Sequence, residues 1–177
     1  MNISKFTQKS LEAVQNTEKL AYEYGNQQID QEHLLYSLLT VEDSLIFKLI
    51  TKMGISGDQF RDEVQQAIGK LPKVSGGQVY FSNDANKVLV NAEDEAKAMG
   101  DEYVSVEHLF LAMLKQPNKA VKELFGNTRG CAHVSELLMF LPTVALQTFA
   151  SEVLDNDDSG AQPFHLDRCH ALVLHSE

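Results

Sequence analysis

The sequence contains no tryptophan, only two cysteines and only four prolines in 177 residues. Two cysteines, Cys131 and Cys169, provide no disulfide framework, so a small stapled scaffold is excluded. No apolar run approaches the roughly 20 residues that span a bilayer, and the opening MNISKFTQKS lacks an apolar signal core. A cytoplasmic location without membrane contact is therefore expected. Positive charge is scarce: 15 Lys and Arg stand against 25 Asp and Glu, a net charge of −10. Such a chain is repelled by a phosphate backbone, which argues against nucleic acid as a partner. No convincing strand run is present. The phosphate-cradling pattern GxxxxGK[ST] is also missing, so hydrolysis of ATP through such a loop is excluded. What the chain does have is a 44% hydrophobic content, enough for an ordinary globular core.

It also has an internal duplication. Residues 6–40 align on residues 81–115 without a gap, with nine identities in 35 positions, against about two expected by chance from ordinary composition. Phe6, Asn16, Glu18, Ala21 and Gly25 meet Phe81, Asn91, Glu93, Ala96 and Gly100. Glu32, His33, Leu34 and Leu39 meet Glu107, His108, Leu109 and Leu114. The period is too long for a common helical solenoid. Each copy reads as a small bundle with its own apolar faces, the two packed with pseudo-two-fold symmetry.

Both copies read as helices. Thr7 and Ser82 are good N-caps. Ala13, Val14, Thr17, Ala21 and Tyr24, matched by Val88, Leu89, Ala92, Ala96 and Met99, recur on one helical face. Gly25 and Gly100 then stop the helix in a left-handed conformation. Asp30 and Ser105 cap the next helix, whose Leu34, Leu35, Leu38 and Leu39 match Leu109, Phe110, Met113 and Leu114. In copy one, segments 44–53 and 58–68 complete the set. The Pro, Ser and Gly of GKLPKVSGGQVY, residues 69–80, mark a mobile link.

The repeated Glu-His pair has two readings. Glu32 and Glu107 lie in a first turn, where the helix dipole favours negative charge by about 0.3–1 kcal/mol. In the simpler reading, Glu and His satisfy first-turn and inter-helix hydrogen bonds. In the sharper one, the glutamates lie near the first-helix caps Thr7 and Ser82 and form two related polar binding sites. A catalytic or zinc site needs more converging ligands or a nucleophile than either copy offers, so no catalytic residue, metal or cofactor is expected.

The stretches KFTQKSLEAVQ, EYGNQQIDQEHLLYSLL, LITKMGISGDQF, KLPKVSGG and DEYVSVEHLFLAML together resemble the Clp N-terminal (Clp repeat) domain, and within it the branch of the bacterial disaggregase ClpB. The resemblance covers residues 1–125. It implies an all-α fold: a tandem pseudo-two-fold repeat of a four-helix motif, with the second repeat incomplete here. Copy one then spans about 1–70, the link 69–80 and copy two 81–125. The resemblance further implies a mobile module that engages unfolded or aggregated polypeptide, or a Clp adaptor, through an apolar groove between the repeats flanked by polar residues. Thr7, Asp101 and Glu107 match the family's polar functional positions, and Ser82 is the counterpart of Thr7. Glu32 and Glu107 match the two acidic positions that receive phosphorylated arginine in the ClpC branch. A carboxylate pairs with a guanidinium through two parallel hydrogen bonds, which suits arginine-bearing clients.

The family pattern breaks off after Phe125. Residues 126–177 contain no Lys, whereas residues 1–125 have twelve; they hold both cysteines and four of the six histidines. The break falls inside a structural unit, which points to a reading-frame shift or gene break in a longer ClpB-like gene, an appended segment being the alternative. Cys131, His133, His165, Cys169, His170 and His175 match no familiar zinc spacing. Residues 135–154 can form an apolar helix interrupted at Pro142, covering the face that the lost final helix would cover. The expected function is thus a client- or adaptor-binding module of a ClpB-like disaggregase, present as a fragment without its ATPase rings. A stand-alone regulator competing for clients or adaptors, or a non-functional gene fragment, is the alternative.

Overall fold

The computed structural model describes residues 3–127, apart from 53 and 75. The expectations for Cys131, Cys169, the tail histidines and the apolar segment 135–154 concern residues outside the described ones. A 3-10 turn, Ile3–Lys5, leads into α1 (Gln8–Tyr24), followed by β1 (Gln28–Ile29), α2 (Gln31–Thr40), α3 (Leu45–Lys52) and α4 (Gly57–Gly69). Copy two supplies β2 (Tyr80–Phe81), α5 (Asn83–Met99), α6 (Val106–Lys115) and α7 (Lys119–Asn127). The fold is helical, as the periodicity indicates. Among the described residues no helix is long and apolar enough to cross a membrane.

The caps fall where the sequence puts them. The Thr7 hydroxyl accepts from the Ser10 N–H at 3.3 Å, and the Ser82 hydroxyl from the Ala85 N–H at 3.0 Å. Both first helices end on a left-handed glycine, Gly25 at φ 71° and Gly100 at φ 79°. At such an angle a Cβ crowds the following carbonyl oxygen, so glycine is the natural residue. α1 buries Ala13, Val14, Thr17 and Ala21, and α5 buries Val88, Leu89, Ala92 and Ala96. α2 and α6 are buried on nearly all sides, as their broad apolar stripes require.

Two features depart from the sequence reading. First, extended segments are present, although too short to leave a period. β1 pairs in parallel with β2, Gln28 beside Tyr80 and Ile29 beside Phe81, and Phe6 forms a parallel bridge with Val104. Second, the copies are not separate bundles. The entry to α1 in copy one pairs with the loop before α6 in copy two, and the entry to α5 in copy two pairs with the loop before α2 in copy one. Thr7 donates its N–H to the Val104 carbonyl and Ser82 donates its N–H to the Ile29 carbonyl, each at 2.9 Å. α2 touches α5, α6 and α7, and α6 touches α1 and α3. One continuous core results. Phe60 of copy one lies 5.0 Å from Phe125 of copy two, which also meets Phe110 at 6.2 Å.

The link is tied to copy one. The Asn26 amide donates to the Pro72 carbonyl at 3.1 Å and, more weakly, to that of Leu71 at 3.4 Å. Val74 donates its N–H to the Gly25 carbonyl at 2.9 Å.

Candidate functional site

The repeated histidine has a structural role in both copies. In α2, His33 sits three residues after the Asp30 cap, and its Nδ1 accepts the Asp30 backbone N–H at 3.1 Å. In α6, His108 accepts the Ser105 N–H in the same way at 3.0 Å. This is a capping box in which imidazole replaces the usual Glu or Gln. With Nδ1 as acceptor, the neutral ring carries its proton on Nε2. His33 then donates from Nε2 to the side-chain Oδ1 of Asn26 at 3.1 Å, and Asn26 passes the chain of bonds on to the link. Burial, opposed by the nearby Asp30 charge, pushes the His33 pKa below its ordinary value, so the ring stays neutral.

Copy two replaces Asn26 by Asp101. Oδ2 of Asp101 lies 3.0 Å from Nε2 of the fully buried His108. The distance suits a hydrogen bond, but Nε2 makes none, and the contact is electrostatic. Ser105 Oγ lies 2.9 Å from His108 Nδ1, so serine, histidine and aspartate stand in a row. The arrangement does not activate a nucleophile, because the Nδ1 lone pair already receives the Ser105 backbone N–H.

Three of the five predicted site residues come together. Thr7 is held against Val104 by its backbone, and Ser10 Oγ donates to the same Val104 carbonyl at 2.6 Å. Asp101 and Glu107 flank that carbonyl in sequence, in the loop and first turn that Val104 joins. Asp101 is exposed, and Thr7 and Glu107 are half-buried. Tyr103, which the sequence reading missed, stands in the middle of this loop 50% exposed. Its signal was available: an aromatic between Asp101, Glu102 and Glu107, where copy one has Gln28.

The other two residues are enclosed. Ser82 is 6% exposed and Glu32 3%. Glu32 Oε2 accepts from the Asn118 side-chain amide at 2.8 Å. Burial raises the Glu32 pKa above the usual carboxylate value, the Asn118 bond opposing it. The exchanged pairing joins Thr7 to Val104, three residues before Glu107, and Ser82 to Ile29, three residues before Glu32, so each of these seams is built from both repeats.

Two concavities lie elsewhere. A cleft of about 300 Å³ between the α1–α2 loop, the link and β2 is lined by Asn26, Asp30, Pro72, Val74 and Tyr80. A more open groove of about 660 Å³ on copy one is lined by Tyr36, Phe47, Lys48, Arg61 and Gln65. Neither is lined by any of the five predicted residues. Among the described residues no group of three His, Cys, Asp or Glu side chains is placed to hold a metal ion.

Comparison with known proteins agrees with this architecture. Residues 5–128 match the Clp repeat (R) N-terminal domain. The chaperone protein ClpB of Nitratidesulfovibrio vulgaris is 39% identical over 126 residues, which are 68% of this chain and 15% of that protein. The chain spans 13–17% of the length of the curated ClpB relatives it matches. Among solved structures, the Hsp104 N-terminal domain of Candida albicans superposes with a TM-score of 0.65 at 20% identity, covering 93% of this chain and 98% of that one. A ClpV N-domain in complex with a VipB peptide superposes with a TM-score of 0.62 at 20% identity, covering 89% and 92%.

Proposed function

The chain belongs to the Clp repeat (R) N-terminal domain family, and from that premise we propose that it is a binding module for unfolded or aggregated polypeptides, or for the adaptors that carry them, in the manner of a ClpB-like disaggregase. The observation that carries this reading is the acidic loop around Tyr103. An exposed aromatic ring is flanked by Asp101, Glu102 and Glu107, and the loop is fixed by the Thr7–Val104 hydrogen bond. Ring and carboxylates together suit a segment that alternates apolar and basic residues, as an unfolded chain exposes. The ring supplies apolar area and a face for cations, and the carboxylates pair with guanidinium groups. The ClpV N-domain found with a bound peptide supports peptide capture by this fold. Binding of this kind is passive and turns over no substrate; ATP-driven work belongs to sequence outside the segment shared with the ClpB relatives. The module acts in the cytoplasm and needs no cofactor.

The test is binding of a fluorescently labelled, chemically unfolded protein, with its native form as control. We expect weak, salt-sensitive binding to the unfolded form alone. The double variant Asp101→Asn, Glu107→Gln should lower the affinity about tenfold with helicity unchanged. Undiminished binding by that variant would sink the acidic-loop site. No binding by the folded parent chain would sink the client-binding reading and favour an adaptor-dedicated module.

A further inference from the structure

The two acidic first turns are unequal, and Asn118 makes them so. Gln31 and Glu32 at the start of α2 both reach across to the other repeat. Glu32 accepts from the Asn118 side-chain amide at 2.8 Å, and Gln31 Oε1 accepts from the Asn118 backbone N–H at 2.8 Å. The Gln31 amide donates to the Gln116 carbonyl at 2.9 Å and to that of Asp84 at 3.3 Å. Asn118 in turn caps α7, its Oδ1 accepting the Val121 N–H at 2.8 Å. Gln31 is 1% exposed. Every polar atom that Asn118 turns toward α2 and α7 is thus engaged.

The equivalent positions of α6 are Val106 and Glu107. Val106 has no polar side-chain atom. The segment that stands in place of residues 116–118 carries Glu42 and Asp43, and Ser44 follows it. Asp43 is itself a carboxylate, engaged by Lys48 at 2.8 Å. Ser44 caps α3 through Phe47 N–H at 3.0 Å and donates its hydroxyl to the Leu38 carbonyl at 2.6 Å. None of these three offers a side-chain N–H to Glu107, and like charge keeps Glu42 and Asp43 from serving as its partner.

We propose that Gln31, Glu32 and Asn118 form a latch between the repeats that shuts the acidic site of copy one, so that the chain offers one carboxylate site to a guanidinium-bearing ligand, at Glu107, and a second only when Asn118 lets go. A guanidinium that takes Glu32 must replace the Asn118 amide, and in doing so loosens the entry to α7. Occupancy at Glu32 and order at the start of α7 are therefore opposed. The number of sites rests on the client-binding reading; the latch itself does not.

The experiment uses the full chain and a short unstructured peptide of one arginine and two leucines, titrated while the backbone amides are followed by NMR. In the parent chain, shifts should be confined to the first turn of α6 and the Tyr103 loop. Asn118→Asp keeps an N-cap oxygen for α7 but sets a carboxylate against Glu32, and it should add shifts in the first turn of α2. Equal responses of both first turns in the parent chain overturn the proposal, as does an α2 unresponsive in Asn118→Asp with α7 still helical. Hydrogen exchange without peptide is the second readout. Glu32→Ala, which leaves the α7 cap untouched, should speed exchange over residues 116–121 about tenfold. If neither chain binds peptide, the client-binding reading falls, and exchange alone decides the latch: faster supports it, unchanged refutes it.

Discussion

Copy one and copy two share the same buried histidine at the same place in the same helix, yet each ring looks out on something different. His33 meets the neutral amide of Asn26, which anchors the link. His108 meets the exposed carboxylate of Asp101. One residue along, Glu32 is sealed by Asn118 while Glu107 stays at the surface. The helical faces and caps stayed alike because one core requires them of both copies. The copies diverged at the residues through which each meets the other copy, the link or the solvent. Symmetry of the scaffold therefore does not imply symmetry of the site.

The strongest way to break this comparison is at the seam. Phe60→Ala removes a ring that meets Phe125 across the repeats, and it should destabilise the domain by about 3–5 kcal/mol, with both copies still unfolding in one urea transition. Two separable transitions would mean that the copies are independent after all. Next in size are the paired glycines. Gly25→Ala and Gly100→Ala each force a Cβ into the left-handed region and should cost about 1–2 kcal/mol. A Cβ would meet only Lys73 Cβ at 4.0 Å at Gly25 and nothing within 4 Å at Gly100, so the two losses should match in thermal melts. A larger loss at Gly25 would show that the link resists even that contact.

The smallest effects concern pH, and they have opposite signs at neighbouring residues. The His33 pKa is lowered by burial, so below the ordinary imidazole value of 6.5 the unfolded chain takes up a proton that the folded one refuses. Stability from this group is complete above that pH and declines as pH falls below it. Asn26→Asp gives His33 the carboxylate that His108 has and should flatten that decline. The Glu32 pKa is raised, chiefly by burial. From the ordinary carboxyl value of 4.5 upward, the folded chain retains a proton that the unfolded chain has lost, so stability declines as pH rises through the folded value. Glu32→Gln should therefore gain on the parent chain at pH 7 relative to pH 4. A difference that does not change between these values would mean that Glu32 is not buried with its charge at stake.

The sequence makes the local half of this structure legible. Thr7, Ser82, Gly25 and Gly100 announce helix ends through capping chemistry that acts within three or four residues. The stripes of α2 and α6 follow from one period. The exchange between copies is another matter. Strands of two residues leave no alternation to detect, and Gln31 meets Asn118 across 87 positions of sequence. A glutamine before a Glu-His pair gives no sign that its amide reaches a distant loop. For the same reason Glu32 and Glu107 look alike on paper, and only the partner brought to Glu32 from the other repeat distinguishes them. The resemblance to a family identified Thr7, Asp101 and Glu107 as positions of interest; the pairing of Phe6 with Val104 brings the segment of Thr7 to the segment that carries the other two.

That pairing also has a consequence for how the chain is made. Ser10, at the entry to the first helix, takes a hydrogen bond partner 94 residues further on. At about 5–20 residues per second, a ribosome reaches Val104 roughly 5–20 seconds after it has made Ser10. Until then the entry to α1 has no partner, Phe60 lacks Phe125, and Gln31 and Glu32 have no Asn118. A module that we propose to handle unfolded chains is, for those seconds, a chain with its own apolar surface open, and a nascent-chain protease assay should find copy one cleavable until copy two has emerged.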